Sequence, residues 1–89
     1  MIIKYSLSFL EIFKKVDVRV RKSFKQRILI FSKNPNDLQL NNHALKKEWK
    51  GHRSMDINTD YRAVYKKVAM GDELVAHFVT LGTHDELYK

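Results

Sequence analysis

The chain has 89 residues, of which 44% are hydrophobic and 30% are charged, which predicts one domain, residues 1–89, and excludes collagen-like, low-complexity and disordered classes. The sequence contains 0 cysteines, which excludes a disulfide scaffold, thiolate catalysis and a cysteine-ligated metal site. The net charge is +7, and residues 1–45 carry most of it, with 9 basic against 3 acidic residues. A positive charge of this size favours a polyanionic partner such as nucleic acid. The alternative is that the charge serves solubility alone.

The first half of the chain predicts one strand followed by two helices. Residues 2–6 form a short apolar strand candidate, and Ser8-Phe9-Leu10-Glu11 matches the capping box of a first helix. The apolar stripe of this helix is formed by Phe9, Ile12, Phe13 and Val16. Asp17 is the predicted N-cap of a second helix, which Asn34-Pro35-Asn36 ends. The apolar face of the second helix consists of Val20, Phe24, Ile28 and Phe31.

The second half of the chain predicts three strands, at residues 53–57, 61–68 and 73–81, with short turns between them. Short connections of this kind predict antiparallel pairing. Residues 74–79 are apolar at nearly every position, so this strand is placed centrally in the sheet. Residues 38–50 are interpreted as an ordered loop with a short strand. The order β-α-α-β-β-β predicts an α+β fold, in which the N-terminal strand and a helical hairpin pack on an antiparallel sheet.

No segment is predicted to span a membrane, because charges interrupt every apolar stretch. The N-terminal residues are not typical of a secretory signal, since Glu11 interrupts the apolar run and no small-residue cleavage site follows. The expected location is therefore the cytoplasm.

Four histidines are the titratable side chains of interest. They are His43, His52, His77 and His84. Their spacing matches no metal motif, so a metal is not expected, and no other cofactor is expected either. The strand pattern around His77 indicates a half-buried sheet histidine. His84 follows the last strand in Gly82-Thr83-His84-Asp85. A histidine at such a strand end can transfer protons near neutral pH, or is simply an exposed turn residue.

Basic and aromatic side chains alternate in residues 42–53, a pattern that suits RNA because cations meet phosphates and flat rings stack on bases. The alternative is a surface loop that Trp49 anchors in the core. Two carboxylates follow, Asp56 and Asp60. They could orient a catalytic base, although from the residues alone turn and salt-bridge roles are favoured. Strand alternation directs Arg53 and Asp56 to opposite faces.

Taken together, four segments of the chain resemble the RelE/ParE toxin superfamily, and most closely its YafQ-type branch. They are His43-Ala-Leu, Trp49-Lys-Gly with Arg53, Asp60-Tyr-Arg-Ala-Val-Tyr65 and Gly82-Thr-His-Asp-Glu-Leu-Tyr88. The resemblance implies a RelE-like fold and the toxin of a type II toxin–antitoxin system. The implied activity is a ribosome-dependent, metal-independent endoribonuclease that cleaves mRNA in the A site through attack of the RNA 2′-hydroxyl. The implied partners are the ribosome, mRNA and a cognate acidic antitoxin.

The same resemblance implies roles for individual residues. His84 corresponds to the general acid, His43 to a candidate base, and Asp60 to a residue that orients a histidine or acts as the base. Asp56 stands where the branch usually has a further catalytic histidine, and Thr80 stands where a basic residue is frequent. The residues expected to contact RNA and its phosphates are Lys46, Trp49, Lys50, Arg53 and Tyr88.

Two other functions remain open at this point. A ParE-like toxin that inhibits gyrase needs no acid–base groups, and a basic nucleic-acid-binding module would explain the charge without catalysis. Cleavage requires His43 and His84 to lie close together, beside cationic side chains. Placement of the two histidines on opposite sides of the molecule would exclude it.

Overall fold

A five-stranded sheet with a helical hairpin against one face forms the fold of residues 1–88, which the computed structural model describes. The strands are β1 (Ile2–Tyr5), β2 (His43–Ala44), β3 (Arg53–Asp56), β4 (Tyr61–Met70) and β5 (Glu73–Thr83). The helices are α1 (Leu7–Phe13), α2 (Val18–Lys33) and α3 (His84–Leu87), with single 3-10 turns at Leu38–Leu40 and Lys47–Trp49. The order of strands across the sheet is β1-β5-β4-β3-β2.

The predicted α+β order is confirmed, but the sheet is mixed rather than antiparallel throughout. Strands β2 to β5 pair antiparallel, whereas β1 pairs parallel to β5, with Ile2 opposite Val75. This pairing joins the two ends of the chain, and no local pattern carries information about it. The short strand predicted within residues 38–50 is present as β2.

The two helices of the hairpin begin at side-chain caps. Asp17 caps α2 as predicted, because its carboxylate accepts a hydrogen bond from the Arg19 backbone N–H at 2.7 Å. The predicted capping box at Ser8 and Glu11 is wrong, since Ser6 caps α1 by accepting from the Phe9 N–H at 3.0 Å. The Ser6 hydroxyl also donates to the Val79 carbonyl at 3.1 Å, so β5 fixes where α1 begins. None of the helices in residues 1–88 combines the length and apolar content that a membrane crossing requires.

The hydrophobic core lies between the hairpin and one face of the sheet, which we call the core face. Phe78 on β5 is at its centre, fully buried, with five aromatic rings around it at centroid distances of 5.1 to 6.0 Å. Those rings belong to Tyr5, Phe9, Phe24, Phe31 and Tyr65. Because side chains alternate along a strand, the residues next to the core positions of β3, β4 and β5 project from the opposite face of the sheet, which we call the outer face.

A third helix, α3, covers part of the outer face and was not predicted. The capping box Thr83–Glu86 starts it, with the Thr83 side chain and the Glu86 carboxylate each bonded to the other's backbone N–H. Its Leu87 packs over Gly82, where an added Cβ would come within 3.4 Å of the Leu87 side chain. The residues expected to form a loop after the last strand therefore lie as a helical turn on the sheet.

Candidate active site

The outer face of the sheet holds Tyr88, the last residue that the structure describes. Its hydroxyl donates a hydrogen bond to the Ser54 hydroxyl at 3.0 Å, and Ser54 is fully buried. The Tyr88 ring meets the His84 ring edge-on, with the centroids 4.8 Å apart. The sheet therefore fixes the position of Tyr88 through β3, and Tyr88 in turn contacts His84.

Trp49 holds the same segment from a second side. Its indole N–H donates to the Leu87 carbonyl at 2.9 Å, which satisfies one of the unpaired carbonyls at the end of α3. Trp49, Lys46, Leu87 and Tyr88 also line a pocket of about 120 Å³. The structure places Trp49 against α3, outside the hydrophobic core in which the second interpretation had anchored it.

His43 lies on the same face as Tyr88. It is paired with Ser54 across β2 and β3, and directly opposed side chains of an antiparallel pair project from one face with Cβ atoms about 5 Å apart. Both His43 and His84 are exposed. The structure thus places the two predicted catalytic histidines on one face, His84 in contact with Tyr88 and His43 beside the serine that Tyr88 binds.

Asp60 lies at the His84 end of this surface. The Asp60 backbone carbonyl accepts a hydrogen bond from the His84 N–H at 3.3 Å. Both residues line a shallow pocket of about 360 Å³, together with Thr59, Tyr61 and Thr83. Asp60 and His84 are both exposed to solvent there. Within residues 1–88, no three histidine or carboxylate side chains lie close enough together to hold a metal ion.

Two of the predicted site residues are engaged elsewhere. Asp56 is half-buried and forms an ion pair with Arg62, its cross-strand neighbour, at 2.9 Å; the contact is not a linear hydrogen bond, since Oδ1 has no hydrogen-bond partner. Arg53 projects from the core face, where its Nε donates to the Asn42 side chain at 2.8 Å. The structure therefore does not bring Arg53 to the face that holds His43. Lys50 is exposed at the end of the turn that carries Trp49.

Sequence reasoning missed Ser54 and the Asp56–Arg62 pair. A signal for Ser54 existed, since strand alternation places it on one face with Asp56, while its neighbours Arg53 and Met55 project from the other face. A buried hydroxyl in such a strand needs a hydrogen-bond partner. The partner is Tyr88, which lies 34 positions away along the chain, so the local sequence could not identify it.

The capping box of α3 makes the site sensitive to acid. Hydrogen bonds from the Thr83 backbone and side chain lower the pKa of Glu86 below its ordinary value of 4.5. A carboxylate with a lowered pKa stabilises the folded state above its ordinary pKa, and this contribution disappears as the pH falls through the lowered value. We therefore expect α3 to loosen below about pH 4.5, measured as a fall in the protection factor of the Thr83 amide against hydrogen exchange by NMR. Glu86→Gln should remove this pH dependence; an unchanged profile in that variant would contradict the assignment.

Solved structures of bacterial toxins share this fold. The YoeB/ParE toxin from Agrobacterium tumefaciens superposes with a TM-score of 0.74 at 21% sequence identity, covering 94% of this chain and 99% of that one. YafQ from E. coli strain BL21(DE3) superposes with a TM-score of 0.66 at 26% identity, covering 98% and 97% of the two chains. YafQ in the E. coli DinJ-YafQ toxin-antitoxin complex gives a TM-score of 0.64 at 26% identity, covering 98% and 96%. The predicted RelE-like fold is confirmed.

The family assignment comes from the sequence profile described as "Bacterial toxin of type II toxin-antitoxin system, YafQ", which matches residues 3–89. The chain therefore belongs to the YafQ family of type II toxin–antitoxin toxins. No curated protein sequence is significantly similar to it.

Proposed function

We propose that this toxin is a ribosome-dependent, metal-independent endoribonuclease that cleaves translated mRNA in the ribosomal A site, in the cytoplasm. The observation that carries the proposal is the placement of two exposed histidines, His43 and His84, on one face around Tyr88. A ParE-like gyrase inhibitor or a plain nucleic-acid-binding module has no need for this arrangement.

The reaction is an intramolecular transfer at phosphorus. The RNA 2′-oxygen attacks the adjacent phosphorus, the bond from phosphorus to the 5′-oxygen breaks, and the products are a 2′,3′-cyclic phosphate and a 5′-hydroxyl. One group must take the 2′-hydroxyl proton and another must protonate the departing 5′-oxygen. We assign the second role to His84, and the first to His43 or Asp60.

The extra negative charge on phosphorus requires nearby cations. Lys46 lines the pocket next to Tyr88, and Lys50 is exposed on the same turn, so both are assigned to this role. Arg53 would first have to leave Asn42, which holds it on the core face. Asp56 is assigned an indirect role, because Arg62 neutralises it. The half-buried ring of Tyr88 is assigned to stacking on a base of the message.

The partner that restrains the toxin is proposed to be an acidic antitoxin. E. coli YafQ is found in a complex with DinJ, and the charge of +7 on this chain favours association with a segment of opposite charge. An acidic segment that is disordered before binding could add to the exposed edge of β1 or β2.

An in vitro translation assay tests the proposal. We expect the purified toxin to cut a message inside its coding region only while ribosomes translate it. Adding EDTA while the free Mg²⁺ concentration is held constant should leave the cleavage rate unchanged. The upstream fragment should end in a 2′,3′-cyclic phosphate. Loss of DNA supercoiling by gyrase with intact message would favour the ParE-like function instead, and binding of RNA without either effect would leave only a binding module.

A further inference from the structure

A row of basic side chains crosses the outer face on three adjacent strands. Lys4 on β1 pairs with His77 on β5, and His77 pairs with Lys66 on β4. Directly paired residues project from the same face of a sheet, and the neighbours of Lys66 and His77 show which face it is. Tyr65 and Phe78 are buried in the core, so Lys66 and His77 project from the outer face with Lys4.

This row lies next to the candidate active site. Lys66 is two residues from Val64 along β4, which is roughly 6.6 Å at the usual rise of a strand. Val64 is paired with Ser54, the residue that binds Tyr88. The row from Lys66 to Lys4 then runs over two strand spacings, roughly 10 Å. The basic row therefore continues the surface of the site on the side away from His84.

The charges of this row have no partner inside the described part of the protein. Neither Lys4 nor Lys66 forms an ion pair within residues 1–88, and both are exposed. Asp56, which pairs with Arg62, and Glu86, which caps α3, lie at the other end of the outer face. Glu73 is the carboxylate of this face on the side of the row, and it lies four residues from His77 along β5, roughly 13 Å. Such a separation of charge leaves a patch that favours phosphate groups.

We infer that Lys4, His77 and Lys66 bind the backbone phosphates of single-stranded RNA next to the cleaved position. The inference rests on the proposed function, and it adds a second part of the substrate site. The two lysines would each contact one phosphate, and His77, half-buried between them, would donate a hydrogen bond. Contacts of this kind position the strand without reading its bases.

Binding of a short 2′-O-methyl RNA, which lacks the attacking hydroxyl, tests the inference across a series of KCl concentrations. Neutralising one phosphate contact in a single strand should reduce the slope of log K against log salt by about 0.7. We expect this reduction, with an affinity loss of about fivefold near 0.1 M salt, for Lys4→Gln and for Lys66→Gln. The matched control is Lys22→Gln, which removes an exposed charge from α2, the helix that packs on the core face of the sheet. This variant should leave the salt slope and the affinity unchanged.

The outcomes distinguish this inference from the proposed function. An equal effect of Lys22→Gln would overturn it, because net charge alone would then explain binding. RNA binding that is unchanged in Lys4→Gln and Lys66→Gln would also overturn it, and weakened binding of an acidic antitoxin peptide in the same variants would assign the row to that partner. If the wild-type toxin cuts no message but the two variants lower the salt slope, the RNA surface stands and the nuclease function fails.

Discussion

Replacing His84 with alanine should lower the rate of ribosome-dependent mRNA cleavage by about 10²- to 10⁴-fold, the usual contribution of a positioned general acid. His84 is the first residue of α3, and its side chain is 68% exposed. It contacts the Tyr88 ring but supports no core residue. The free energy of unfolding should therefore change by about 1 kcal/mol or less. Quantified primer extension on translated message measures the first effect, and urea denaturation measures the second.

Asp85 provides a control for His84→Ala within the same helical turn. Its side chain is 99% exposed and lies 3.8 Å from the His84 Nδ1, so Asp85→Ala disturbs the start of α3 without removing the imidazole. Cleavage by this variant should stay within a few-fold of the wild-type rate. Equal losses in the two variants would point to helix disruption, and wild-type cleavage by His84→Ala would remove His84 from the mechanism.

The sequence predicted the elements whose stability is mainly local. The stripe of Val20, Phe24 and Phe31 and the Asp17 cap predicted α2, and the turns on either side of β4 predicted the antiparallel strands. The pattern S/T-x-x-E occurs twice, at Ser8 and at Thr83, and only the second forms a capping box. The first fails because Ser6 is bonded to β5, a contact that spans almost the whole chain.

The candidate site was predictable only in part, for the same reason. The resemblance identified His43 and His84, but their common face depends on the β2–β3 register and on the bond between Tyr88 and Ser54. Strand alternation alone correctly separated Arg53 from Asp56. The phosphate role given to Arg53 came from the resemblance, and the structure shows this side chain bonded to Asn42 on the core face.

Replacing Trp49 with phenylalanine should lower cleavage by about 10- to 100-fold, since small displacements of catalytic groups have effects of this size. Phenylalanine keeps an aromatic ring in the turn but removes the N–H that binds the Leu87 carbonyl at 2.9 Å. The unpaired carbonyl should destabilise the docked position of α3 by about 1 to 3 kcal/mol. His84 and Tyr88 lie at the two ends of this helix, so both lose their fixed positions.

A double variant separates positioning from a direct RNA contact by Trp49. If Trp49 acts by placing α3, then Trp49→Phe should cause a smaller fold loss of cleavage in a His84→Ala background than in the wild type, because one of the two groups that it places is already absent. Fully additive losses would contradict this, and would assign Trp49 to the message itself. Tyr88→Phe gives an independent check, because it removes the other anchor, the bond to Ser54, and keeps the ring that is assigned to stacking. A loss of cleavage similar to that of Trp49→Phe is expected, since both variants release the same helix from the same face of the sheet.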